Sequence, residues 1–266
     1  MKKFLMASVL SLVLATVLPA PVHAFAGGFV DGQLRLTKAS SPYKLTSTIQ
    51  VPAGASVLVE PGVELIVQHP NVVFRSGGKV ELLGTAAEKI KIRGAHVLWE
   101  TAGRFDSKSD LVMTHVEATG LGSLFTTLNQ GQNLRVSDSV FSGGRYSGFA
   151  AYNWLSFCTD CSMERNVFRW LPGYRFMTFG DGKARVNNNL FIGNSSSGLD
   201  NGAWLVTDGN IELVGNSFVQ FDKPVIKMNE AKENLVLDGN FFDGRQPSAI
   251  LSLIHISEPT RLRRIS

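Results

Sequence analysis

Two Asp-Gly pairs, Asp181-Gly182 and Asp208-Gly209, are the first places where this sequence could do chemistry. Each begins five residues ahead of one copy of a recurring apolar-Asn-Phe motif, Val186 to Phe191 and Leu213 to Phe218. If the two segments stack as neighbouring strands, their carboxylates stand about 5 Å apart. A pair that close can hold Ca²⁺, or can raise the pKa of one carboxyl so that it passes protons. Asp-Gly is also an ordinary turn pair, so residue type and spacing leave both readings open. Lys183 and Arg185 follow the first pair. They can neutralise the carboxylates, or contact an anionic polymer through an ammonium and a planar guanidinium.

The remaining chemistry-bearing residues are sparse. Cys158-Thr159-Asp160-Cys161 contains both cysteines of the chain. A CxxC with no second copy and no βαβ pattern argues against zinc or thioredoxin-like work and predicts a local structural disulfide, Cys158–Cys161. His69, His96 and His115 share no metal-ligand spacing. No nucleophile elbow, phosphate loop or Ser/His/Asp arrangement stands out.

Those residues must be positioned by an element that repeats. The run Met163-Glu164-Arg165-Asn166-Val167-Phe168 returns as Val186 to Phe191, Leu213 to Phe218 and Leu237 to Phe242. Val136 to Phe141 has Ser139 in place of the Asn, and Val112 to Glu117 is a weaker copy. From Phe141 onward the Phe residues lie 27, 23, 27 and 24 residues apart. A period in the twenties suits a leucine-rich repeat or a β-solenoid. Regular leucines are absent, and the units are short β-rich runs split by Gly, Asn, Asp and Ser. The expectation is an all-β, right-handed parallel β-helix. Asn166, Asn189, Asn216 and Asn240 should form one column and the Phe residues a second, inside the coil. The Asn residues are also expected to take the left-handed bend between strands.

The ends read differently from the middle. Residues 1–24 carry Lys2 and Lys3, an apolar run from Leu5 to Leu18, and Val22-His23-Ala24, which is the pattern of a cleaved signal peptide. Secreted, periplasmic or cell-surface placement is the matching expectation, with no transmembrane span after cleavage. Residues 25–44 are assigned to an N-terminal segment covering the first coil, and 45–250 to the β-helix. Residues 251–266 resemble a translated sequencing adapter, with a basic amphipathic tail as the alternative. The whole chain of 266 residues has a formal charge of +4, but residues 25–250 hold 21 basic and 21 acidic side chains. That balance gives no support for nucleic-acid binding.

The Asn column and inward aromatic stack resemble the pectin-lyase-like β-helix superfamily over roughly residues 45–250. Ser41-Pro42-Tyr43, Val51-Pro52-Ala53-Gly54, Glu60-Pro61-Gly62-Val63, and Leu83-Gly84-Thr85-Ala86 with Ile90-Lys91-Ile92 resemble the opening coils of secreted bacterial members. The resemblance implies a groove outside one parallel sheet, a polysaccharide partner and, in enzymes, a lyase or hydrolase acting on an acidic polymer. In that setting Lys183 would be the base of a β-elimination and Arg185 would hold a uronate carboxylate. Nine residues ahead of four motifs lie Trp154, Met177, Trp204 and Met228. Pointing inward they are core; pointing outward Trp154 and Trp204 form a sugar-stacking platform. The expected function is binding or processing of an extracellular or cell-envelope polysaccharide. The alternative is a non-catalytic spacer or adhesin with no small-molecule site.

Overall fold

A computed structural model describes residues 23–25, 27–69, 72–95, 97–101, 109–121, 123–126, 132–143, 152–155, 158–169, 175–179, 183–193, 205–207, 210–221, 226–228, 235–243 and 250–252. Only the main chain is described at 23–25, 101, 123–126, 132, 152–155, 158–159, 175–179, 205–207, 210, 226–228, 235 and 250–252. Among these residues there are two sheets of ten strands and one of nine, and every strand pairing is parallel. The chain visits the three sheets in turn, as in Ser56–Val59 (third sheet), Glu64–Val67 (first) and Val72–Ser76 (second). The next visit to each sheet pairs with the last. This is a parallel β-solenoid.

Strand alternation explains why these residues wind this way. The third-sheet strand Lys183–Asn187 reads exposed, buried, exposed, buried, half-buried. Its inward residues continue two columns that run the length of the sheet. One is Val57, Val80, Leu111, Leu134, Cys161, Ala184 and Ile211; the other is Val59, Leu82, Met113, Val136, Met163, Val186 and Leu213. All of them are buried. Both columns are defined by the parallel register, and a slip of one residue would turn them out to water.

The first sheet changes character part-way along. Leu65, Ile92 and Ala118 give way to Phe141, Phe168, Phe191, Phe218 and Phe242 in one register column. The rings stack at centroid separations of 5.4, 4.9, 4.8 and 5.1 Å, all within 15° of parallel. Isolated aromatic pairs prefer offset or edge-on geometry. Here the interstrand spacing of about 4.8 Å imposes the face-to-face distance.

The neighbouring column changes with it, from Ile90 and Val116 to Ser139 and four asparagines. Asn189 Oδ1 accepts both the main-chain N–H and the side-chain amide of Asn166, at 2.9 and 3.1 Å. Asn216 does the same for Asn189, and Asn240 for Asn216. Each Nδ2 also donates to a carbonyl of the inner strands, from Val136 to Leu213. The column begins at Ser139, whose N–H donates to Asn166 and whose hydroxyl accepts from Val116 N–H. The amides are buried and their polar groups are paired.

The left-handed bend does not fall on these asparagines. It falls one residue earlier, at His115, Asp138, Arg165 and Asn188, with φ from 49° to 57°, and then at Gly215 and Gly239. The ladder position needs an inward amide on an ordinary backbone, while the preceding residue turns the corner. Sequence pattern alone merged two adjacent roles.

The segment 25–44 contributes strands of its own to the second, third and first sheets: Gly28–Phe29, Gln33–Leu36 and Tyr43–Leu45. His23–Phe25 pairs with Tyr43–Leu45, and Ile250–Ser252 pairs with Ile226–Met228. Residues 1–22 and 253–266 lie outside the described residues.

Candidate functional site

The outward residues of the third sheet carry a polar grouping that spans several coils. Asp160 and Ser162 leave the strand Cys158–Glu164, Lys183 and Arg185 leave the next strand, and Glu212 leaves Asn210–Val214. Register aligns Ser162, Arg185, Glu212 and Val236 across four consecutive coils. Asp160, Lys183, Arg185, Glu212 and Val236 line an open groove of about 340 Å³, over the strands at Ala184 and Ile211. Arg185 Nη2 donates to Asp160 Oδ1 at 3.0 Å, and Arg135 Nη2 reaches Asp160 Oδ2 at 3.5 Å from the other side. Glu212 Oε1 accepts from the Asn187 amide at 3.0 Å. Val236 is 47% exposed and gives the groove an apolar wall. Donors, acceptors and a small apolar surface therefore converge on one shallow site.

A bulge lies just ahead of Asp160. Gln132 pairs with Cys158, and Asn133 already pairs with Asp160, so Thr159 is the extra residue. From Asp160 to Glu164 the register is continuous, so Asp160 alternates with Ser162 on the outer face. The same bulge brings Cys158 and Cys161 opposite Gln132 and Leu134, two residues apart on the neighbouring strand. Cys161 is disulfide-bonded and buried, and Cys158 is the only other cysteine of the chain.

The structure brings Lys183 and Arg185 together at this groove. Asp181 and Asp208 lie outside the described residues, as does Trp204. The strands that follow the two aspartates pair Lys183 with Asn210. Of Trp154 only the main chain is described, and its register differs from the expected column. Trp154 pairs with Thr126 and Thr178, not with Met177, and Met177 pairs with Leu205. Connections between second and third sheets vary in length, and irregularities at Tyr152–Trp154 and at Thr159 shift the count. A fixed nine-residue step therefore cannot define a column. Through Thr126, position 154 shares a register row with Glu100 and Arg75, which pair outside the sheet at 2.8 Å.

Asp160, Glu212, Arg135 and Val236 were missed by sequence reasoning. Aligning the third-sheet strands at every second residue would have found them, since they share the alternation of Lys183 and Arg185. A second charged cluster sits at the turn beside the amide column. Arg165 donates Nε and Nη2 to the two oxygens of Asp138, at 2.7 and 2.8 Å, and Nη1 to Glu164 at 3.2 Å. That bidentate contact holds the Asp138 carboxyl below its ordinary pKa, against a smaller opposing effect of burial, and holds the guanidinium's pKa up.

Among the described residues no group of three or more His, Cys, Asp and Glu side chains could hold a metal ion. Among them, too, no helix is long and apolar enough to cross a membrane. The chain matches no family model, no curated protein and no solved structure.

Proposed function

We propose that this chain is an exported β-helix protein of the pectin-lyase-like type that binds a polysaccharide along the outside of its third sheet. The observation that carries the reading is the groove in which Arg185 and Lys183 stand beside Asp160, Glu212 and the exposed Val236. A sugar ring presents hydroxyls that donate and accept, and C–H faces that pack on apolar surface. The parallel stack repeats side chains about every 4.8 Å, so an extended polymer lying along the solenoid meets comparable positions on successive coils. The sequence pattern of residues 1–24 supports export.

Binding is favoured over cleavage. Asp160 is held by two guanidinium groups and Glu212 by an amide, so both carboxylates already have partners that fix them as acceptors for hydroxyls. Affinity electrophoresis in gels containing pectate, alginate or a glycosaminoglycan tests the reading, with a digest assay for new reducing ends and unsaturated uronates alongside. Retardation of the wild-type protein, lost in Lys183→Ala/Arg185→Ala without a change in circular dichroism, supports it. Retardation unaffected by the double substitution would place binding elsewhere, and products in the digest would make the protein an enzyme. A spacer or adhesin with no sugar site would migrate unretarded in every gel.

A further inference from the structure

We infer that the Lys183–Arg185 groove takes an uncharged, hydroxyl-rich stretch of glycan rather than a polyanion; the inference rests on the glycan-binding reading above. Two cations, Lys183 and Arg185, and two carboxylates, Asp160 and Glu212, line the groove. Widening the circle on the same face adds Arg135 and Glu164, one of each sign. A polyanion is drawn by a surplus of positive potential, and among the described residues the groove holds none.

The order of the charges matters more than their sum. Asp160 lies between Arg135 and Arg185 and binds both. Arg185 is in direct register with Glu212 on the following strand. A uronate carboxylate reaching for Arg185 must share the guanidinium with Asp160 and sit about one strand spacing from Glu212, between two carboxylates of its own sign. Like charges at that distance oppose each other.

Neighbouring hydroxyls meet no such conflict. A hydroxyl hydrogen donates to a free lone pair of Asp160 or Glu212, and its oxygen accepts from a remaining N–H of Arg185 or from the Lys183 ammonium. The existing ion pair stays intact and keeps both partners oriented, which lowers the entropy lost on binding. Val236 lies in the same register row as Arg185 and Glu212, where the apolar face of a ring can rest. The volume is at the lower end of small-ligand sites, which suits a short run of rings.

Matched polymers separate the two chemistries. Polygalacturonate, alginate and chondroitin are each compared with their carboxyl-reduced forms on a biosensor surface, using the full chain at about 50 and about 500 mM salt. The inference expects at least one reduced form to bind as tightly as its parent or tighter. Its Kd should change by less than about twofold between the two salts. Arg185→Gln and Asp160→Asn should each weaken that binding by at least about fivefold. Binding confined to the parent polymers, weakening about tenfold or more with salt, would overturn the inference and leave the glycan reading standing. No binding to either member of any pair, or binding indifferent to both substitutions, would overturn the glycan reading of this groove and the inference with it.

Discussion

Replacing Asn189 by alanine removes the centre of the amide column and should be among the most damaging single changes outside the Phe stack. The side chain is buried. Its Oδ1 is the acceptor of the Asn166 main-chain N–H, which would be left without that partner. An unsatisfied buried donor costs about 1–3 kcal/mol. Nδ2 donates to Met163 O and to Asn216 Oδ1, and losing these adds about 1 kcal/mol each. The expected destabilisation is about 3–5 kcal/mol. Ser139→Ala, at the head of the same column, deprives only the Val116 N–H, because Ser137 O keeps the His115 N–H. It should cost about 1–3 kcal/mol. Asn133→Ala removes a single half-buried contact with Asp110 and should cost about 1 kcal/mol or less. Urea unfolding followed by far-ultraviolet circular dichroism measures all three, provided the slope of the transition is unchanged. The ordering Asn189, then Ser139, then Asn133 is the result expected. An Asn189 variant no less stable than the Asn133 variant would refute the argument that the column satisfies otherwise orphaned main-chain groups.

Phe191→Ala deletes a ring stacked at 4.9 Å on Phe168 and 4.8 Å on Phe218 and should cost about 3–5 kcal/mol by the same assay. Gly239 has φ 59° and a Cβ there would meet nothing nearer than 3.9 Å, so Gly239→Ala should add only left-handed strain of about 1–2 kcal/mol. A Cβ at Gly78 would instead fall 2.5 Å from Pro52 O and still nearer Ala55 O, so Gly78→Ala should be the worse of the two; the reverse order would contradict the packing described. The Asp138 carboxyl is held below its unfolded value of 3.8, so its contribution is present above that value and lost as pH falls through the folded one. Asp138→Asn should therefore flatten the stability profile below about pH 4 at low salt, by under about 1 kcal/mol because the pair is partly exposed. An unchanged acid limb would remove the Arg165 pairing from the account.

Architecture was legible in the sequence because period and residue type agreed. Asn166, Asn189, Asn216 and Asn240 recur with Phe two residues later, and only stacked coils use that repetition twice. The left-handed residue was hidden because His115, Asp138, Arg165 and Asn188 share no side-chain type, only a backbone angle. The site was half legible. Lys183 and Arg185 stand out by charge and alternation, but their partners depend on register. Asp160 shares the outer face with Ser162 by plain alternation, but its pairing with Arg135 and Arg185 emerges only once the coils are set in register. The Trp154 column failed for a related reason, since the count crossed a connection of variable length.

The most direct test of the glycan groove is chemical footprinting of Lys183 on the unmodified protein. The protein is acetylated with and without the polymer that retards it in gels, and the rate at each lysine is read by mass spectrometry. Lys183 lines the groove, whereas Lys91 is exposed on the outer face of the first sheet. The account predicts slower acetylation of Lys183 with polymer bound and no change at Lys91. Equal rates at Lys183 with and without bound polymer would contradict it.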